Sequence, residues 1–265
     1  MTLVVAHRGS SGAHAEHTLR AYEKAVEEGA DALECDVRLT RDGVLVCVHD
    51  RRVDRTSDGR GSVSTLELAE LADLDFASWK ARHGDPLLEA SWEEVEHENG
   101  TVLTLERLVQ LVLDKDRPVE LHIETKHPTR YGGLVEKALI DLLARYGLAR
   151  PVSRSVSRVT VMSFAPTSLR RIHAMAPELP TVYLMARVPL RWRDGSLPPR
   201  IDIAGPSLEI LKAHPGYVER VHAMGNRVHV WTVDSPTDIA SMLGLGVDAV
   251  ISNHPERVLR QLHRA

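Results

Sequence analysis

Short apolar runs alternate with amphipathic stretches along almost the whole chain, the pattern of strand–helix units repeated around a parallel sheet. The runs predict barrel strands at Leu3–His7, Ala32–Val37, Val119–Glu124, Val159–Phe164, Thr181–Met185, Ile201–Ala204, Val228–Val233 and Ala249–Ser252. Helices fit Thr18–Glu28, Leu105–Leu113, Gly133–Tyr146, Pro166–Met175, Pro215–Met224 and Pro236–Leu243. Eight parallel strands in this order close into a TIM (β/α)8 barrel. One further run, Val44–Val48, follows its predecessor too closely for a parallel crossover, so it must return antiparallel as a hairpin arm. With Asp42-Gly43 as a two-residue turn, the arm sets His49 opposite Asp36; a three-residue loop would move that pairing by one.

The stretch from Arg51 to Gly100 reads as an insertion after strand two, large enough to shape access to the barrel mouth. Ser64-x-x-Glu67 has the form of a capping box and predicts a short helix through Leu71. Trp79 and Trp92 fit a small satellite core beneath this excursion, or the lining of an entrance. Arg187–Arg200, with three prolines and four arginines, is expected to be irregular.

Composition narrows the class. At 265 residues the chain suits one α/β barrel, taken as one domain over 1–265. A net charge of −4 without a long single-sign run gives nucleic acid no surface. The first strand begins almost at the first residue, with no leader pattern before it, so a cytoplasmic protein is expected. No apolar run approaches the roughly 20 residues of a membrane span, which leaves only peripheral membrane contact open. Cys35 and Cys47 lack C-x-x-C spacing and are expected as buried apolar side chains.

The polar residues that interrupt the apolar runs stand where strands end, which in this fold is where chemistry is done. His7 closes strand one, Glu34 and Asp36 share one face at the end of strand two, and Glu124 ends strand three with Lys126 on the same face. The arm brings His49 back to the same mouth. Three converging carboxylates repel one another unless a cation compensates them, and an all-oxygen set selects Mg²⁺ or Ca²⁺. His7 and His49 are the candidate acid–base pair. Arg8 and Lys126 are candidate phosphate ligands, and Gly9 lets the backbone turn closely beneath a phosphate. His83, His97, His173, His214, His222 and His263 are assigned no role. The set amounts to a metal-assisted phosphodiester hydrolase.

These residues, in this order, resemble the glycerophosphodiester phosphodiesterase family. The likeness is carried by His7-Arg8-Gly9, Ala15-Glu16-His17-Thr18, Glu34-x-Asp36-Val37, Thr40-x-Asp42-Gly43, His49-Asp50, Arg55-Thr56, Ile123-Glu124-x-Lys126, Ser163-Phe164, Trp231-Thr232-Val233 and Ser252-Asn253-x-Pro255. It implies a TIM barrel, Glu34, Asp36 and Glu124 on Mg²⁺ or Ca²⁺, His7 and His49 as acid and base, and Arg8 and Lys126 on the phosphate. Glu16 and Trp231 are implied in the substrate pocket. The implied reaction is attack on phosphorus by the substrate's own glycerol hydroxyl, then opening of a cyclic phosphate by water, giving an alcohol and glycerol 3-phosphate. Rival readings are a lysophospholipase D or phospholipase C-like enzyme acting on a lipid head group, an amidohydrolase-type barrel, and a non-catalytic phosphoglycerol-binding barrel. The amidohydrolase type usually carries His-x-His on strand one, where this chain has only His7. The chain departs from the family habit at His17, where asparagine is usual, at Leu103, where a proline is expected, at Ser252-Asn253, where Thr-Asp is usual, and at His122. That last residue, standing where asparagine is common, is expected as a hydrogen-bonded histidine of the barrel core, or else as a partner of Glu124 or an added metal ligand.

Overall fold

The computed structural model describes residues 1–80, 100–129 and 132–264, so Trp92, His83 and His97 lie outside the described residues. Its strands are β1 (Leu3–His7), β2 (Ala32–Leu39), β3 (Leu45–Cys47), β4 (Glu120–Thr125), β5 (Val159–Ser163), β6 (Thr181–Met185), β7 (Ile203–Pro206), β8 (Arg227–Val230) and β9 (Ala249–Ser252). All but β3 run parallel in the order β1-β9-β8-β7-β6-β5-β4-β2, and a β1–β2 pairing closes the ring. The barrel is therefore eight-stranded, with β3 as the antiparallel arm on β2.

The described helices are α1 (Leu19–Glu28), α2 (Leu68–Ala72), α3 (Leu105–Leu113), α4 (Leu134–Arg145), α5 (Pro166–Met175), α6 (Leu208–Ala213), α7 (Tyr217–Ala223), α8 (Pro236–Gly244) and α9 (Pro255–Gln261). Sequence periodicity does not reveal α6 and α9, which have six and seven residues and bury too few side chains to leave a pattern. The short helix predicted through Leu71 is present, but its capping box lies three residues on. Glu67 caps the helix and Glu70 answers it, whereas Val63–Thr65 forms a 3-10 turn.

The arm's register also differs from the expected pairing of Asp36 with His49. Val37 faces Cys47 and Leu39 faces Leu45, so Val48, whose amide donates to the Asp36 carbonyl, stands opposite Asp36. The cause is a three-residue turn, Arg41-Asp42-Gly43, closed by the Thr40 amide bonding the Val44 carbonyl. Gly43 takes the left-handed conformation (φ +86°) that such loops require. His49 reaches the mouth one residue later, and Arg38 holds its carbonyl through Nε and Nη2 at 3.0 and 2.7 Å.

Alternate residues of the strands point into the barrel. Val5, Ala32, Met162, Val182, Leu184, Ile203, Ala249 and Ile251 pack there as one cluster, while larger apolar clusters lie between the sheet and the helices. His122 belongs to the barrel core. Its ring stacks on His229 at 5.4 Å with a 6° interplanar angle, and the carboxylate it approaches is Glu120 at 3.4 Å, two layers away from Glu124. Burial and the neighbouring His122 and Arg227 hold His229 neutral. Cys35 and Cys47 are buried and free, as expected.

Candidate active site

The turn after β1 is built around two residues that favour opposite things. Gly9 (φ +83°) lies so close to α1 that a Cβ would meet the Ala21 backbone at 2.6 Å, so only glycine fits. Arg8 is also left-handed (φ +59°), at a cost of about 1–2 kcal/mol for a residue with a Cβ. Its amide bonds both the Glu34 carbonyl at 3.1 Å and the Glu34 carboxylate at 3.0 Å, which fixes the strained turn against β2. Its guanidinium meets Glu16 at 2.9 Å and Asp36 at 3.2 Å.

Glu34, Asp36 and Glu124 each offer one oxygen within 4.8 Å of the others, all three buried. Asp36 is the best compensated. Burial works against its charge, but His17 at 2.9 Å, Lys126 at 3.1 Å and Arg8 outweigh that and hold it well below the usual carboxylate range. Glu34 and Glu124 are pushed the other way, first by burial and next by Asp36, Glu124 to about 8. Fully ionised, the three carboxylates against Arg8 and Lys126 would leave one negative charge in excess, and the raised Glu34 and Glu124 pKa values show protons taking the place of a cation. A divalent cation would reverse that to one positive charge, equal and opposite to a phosphodiester. The all-oxygen donor set and its spacing fit a hard divalent ion.

The two histidines reach the same cavity, of about 110 Å³, together with Arg8, Glu34, Glu124 and Lys126. Their outer partners differ. His7 Nδ1 lies 2.7 Å from Asn253 Oδ1, and the Asn253 side-chain amide donates to Asp234 at 2.7 Å. That donation turns the Asn253 carbonyl oxygen toward His7, so His7 carries its proton on Nδ1 and presents an unprotonated Nε2. Burial, then the adjacent Arg8, lowers its pKa to about 4. His49 Nδ1 instead lies 2.7 Å from the Asp50 carboxylate. Asp50 is held by Arg55 at 2.6 Å, and Arg55 donates twice to Glu16. Burial also lowers the His49 pKa, opposed by Asp36 and Asp50.

Met162, Phe164, Leu184, Trp231 and Ile251 form the opposite wall of the cavity. Trp231 donates to the Gly205 carbonyl at 2.7 Å and meets Phe164 edge to face at 5.3 Å. Of the residues expected in the substrate pocket, Trp231 is therefore on its wall. Glu16 is clamped between Arg8 and Arg55, whose hydrogen bonds and charge overcome burial and lower its pKa to about 2.

Sequence reasoning assigned no partner roles to Asn253, Asp234, Asp50 or Arg55, although three of them stand in the quoted motifs. His17 was noted only as a departure. The structure sets it, left-handed at φ +60°, with Nε2 on Asp36 and Nδ1 2.7 Å from the Tyr22 hydroxyl. Asparagine tolerates that backbone well, which was the available signal that position 17 turns inward.

Residues 7–257 match the model of the glycerophosphoryl diester phosphodiesterase family. The chain is 49% identical over 257 residues to the probable glycerophosphodiester phosphodiesterase 1 of Mycobacterium tuberculosis, covering 96% of this chain and 90% of that one. It is 35% identical to the glycerophosphodiester phosphodiesterase of Bacillus subtilis, covering 96% and 84%. Among solved structures, a phosphodiesterase from Oleispira antarctica in complex with the product sn-glycerol-3-phosphate superposes with a TM-score of 0.83 at 25% identity, over 99% of this chain and 97% of that one.

Proposed function

The chain belongs to the glycerophosphoryl diester phosphodiesterase family, and on that premise we propose how its residues hydrolyse a glycerophosphodiester to an alcohol and glycerol 3-phosphate. The observation that carries the reading is the convergence of His7, His49, Arg8, Lys126, Glu34 and Glu124 on one cavity at the carboxyl ends of the barrel strands, with a buried Asp36 oxygen within 4.8 Å of the two glutamates. His7 Nε2 takes the proton of the substrate's glycerol hydroxyl as that oxygen bonds to phosphorus. The bond from phosphorus to the leaving alcohol breaks, and His49, whose Asp50 partner favours the imidazolium, protonates the departing oxygen. The same pair then works in reverse. His49 deprotonates a water that attacks the cyclic phosphate, and His7 returns its proton to the glycerol oxygen, so one water is consumed.

Arg8 and Lys126 hold the phosphoryl oxygens and offset charge that grows during attack. Glu34, Asp36 and Glu124 would hold a hard divalent ion, Mg²⁺ or Ca²⁺, which when bound would supply Lewis-acid polarisation of the attacking hydroxyl. The apolar wall receives the uncharged carbon atoms of the substrate and keeps bulk water from the reacting phosphorus. No helix of the described residues is long and apolar enough to cross a membrane, which agrees with a small water-soluble substrate.

The test is a panel of glycerophosphodiesters incubated with metal-stripped protein to which Mg²⁺, Ca²⁺ or Mn²⁺ is returned singly, with glycerol 3-phosphate measured. Release should need an added divalent ion and should stop with EDTA. Full activity of demonstrably metal-free protein would remove the cation from this account. Choline release from an acylated glycerophosphocholine but not from the deacylated form would favour the lipid head-group reading.

A further inference from the structure

Among the described residues, every parallel crossover carries an α-helix except that between β6 and β7. There the chain runs as a strap, residues 186–200, with one 3-10 turn at Leu190–Trp192. A helix at this place would have covered the outer faces of both strands. The strap leaves a cavity of about 490 Å³ between itself, α6 and α7, larger than the one at the barrel mouth.

The cavity has two chemical characters. Val188, Ile210 and the Tyr217 ring make an apolar floor, and Arg187, Arg193 and Arg220 stand on the lining with a single carboxylate, Glu209. Arg154 and Arg227 nearby both pair with Asp202, but Arg187, Arg193 and Arg220 have no ion pair among the described residues. The strap's own carboxylate, Asp194, is turned onto Ser196. Arg220 is held in place, since its Nε donates to the Arg193 carbonyl at 2.9 Å and its guanidinium lies 5.7 Å from the Tyr217 ring centre. The Tyr217 side chain is 1% exposed, and its hydroxyl has no hydrogen-bond partner among the described residues. Burial raises its pKa to about 12, so it remains a donor. That hydroxyl is closed off from the open cavity, so the polar contacts there fall to the arginines.

We propose that this cavity is a second anion site, outside the barrel mouth, for a phosphate-bearing ligand with an apolar body. Arg187, Arg193 and Arg220 take the phosphate, and Val188 and Ile210 take the apolar part. The chemistry is shared by a phospholipid head group at a membrane surface and by a free phosphomonoester. Beside the cavity Leu190 is 79% exposed and Arg191 stacks on Trp192 at 4.9 Å, which is a form suited to a lipid surface. The proposal stands apart from the catalytic reading, because the cavity includes no residue of the barrel mouth.

The test compares the wild type with a triple variant (Arg187→Glu, Arg193→Glu, Arg220→Glu) and with Val188→Ser, on phosphatidylcholine vesicles with and without phosphatidylglycerol, and in calorimetric titrations with glycerol 3-phosphate. Vesicles containing phosphatidylglycerol should bind the wild type, about a hundredfold more weakly after charge reversal and about fivefold more weakly in Val188→Ser. Hydrolysis of soluble glycerophosphocholine should be unchanged in both variants. If glycerol 3-phosphate instead titrates two sites, one of them lost in the triple variant, the free ester is the source and the site stands. Binding of neither probe beyond the mouth overturns the proposal, and so does a Val188→Ser variant that binds vesicles as the wild type does, which would reduce the effect to surface charge. Should the triple variant fail to fold by circular dichroism, Arg187→Glu alone, on the exposed strap, is read in the same way.

Discussion

One side of the barrel mouth is charged and the other is apolar. His7, Arg8, Glu34, His49, Glu124 and Lys126 come from β1, β2, the arm and β4, whereas Met162, Phe164, Leu184, Trp231 and Ile251 come from β5, β6, β8 and β9. The backbone is nearly the same on both sides, since parallel strands of similar length end at one rim. Side-chain identity separates them, together with the antiparallel arm that returns His49 on the charged side. The apolar side makes the charged side stronger, because charges facing a dry wall are screened less than charges facing water. The expected division of labour is therefore that the charged side governs turnover and the apolar side governs binding of the uncharged part of the substrate.

The sharpest break of that division is on the charged side. His7→Ala and His49→Ala should each lower kcat by about 10²–10⁴ with circular dichroism unchanged, and retained turnover in either would end the acid–base assignment. A smaller loss, about 10–100-fold in kcat, is expected for Asn253→Ala, which frees the His7 ring without removing it. The wild-type pH profile belongs to the same measurement. A His7 pKa lowered to about 4 keeps the base unprotonated as pH falls, and the acid limb appears only when pH passes that value. At pH 5 about nine-tenths of His7 would be competent, against about 3% for an ordinary histidine. An acid limb near 6.5 would show that burial does not govern this ring. The smallest effect belongs to the apolar side. Trp231→Ala should raise KM by about tenfold with kcat little changed, and a matching fall in kcat would mean that the wall takes part in the chemical step.

The parallel strands and their polar ends were legible in sequence, because each is a short run whose alternation is local. His7, Glu34, Asp36 and Glu124 could be set at one rim from strand order alone. What escaped was pairing across distance. His7 meets Asn253 across 246 positions, and nothing near either residue announces it. The arm's register turned on a loop of three rather than two residues, a difference Asp42-Gly43 does not resolve. His17 was visible as a replacement, yet its contact with Asp36 depends on a left-handed backbone set by the cap of α1.

The sequence by itself determined the barrel, the chemical identity of the rim and the need for positive charge among three carboxylates, since all of these follow from residue type and short-range periodicity. Tertiary structure alone decided which partner each histidine has, and so which nitrogen carries the proton. It also decided that the helix-less crossover lines a cavity with three guanidiniums that have no ion pair among the described residues. Those outcomes depend on chain segments brought together by closure of the barrel, and closure is a property of all eight strands at once.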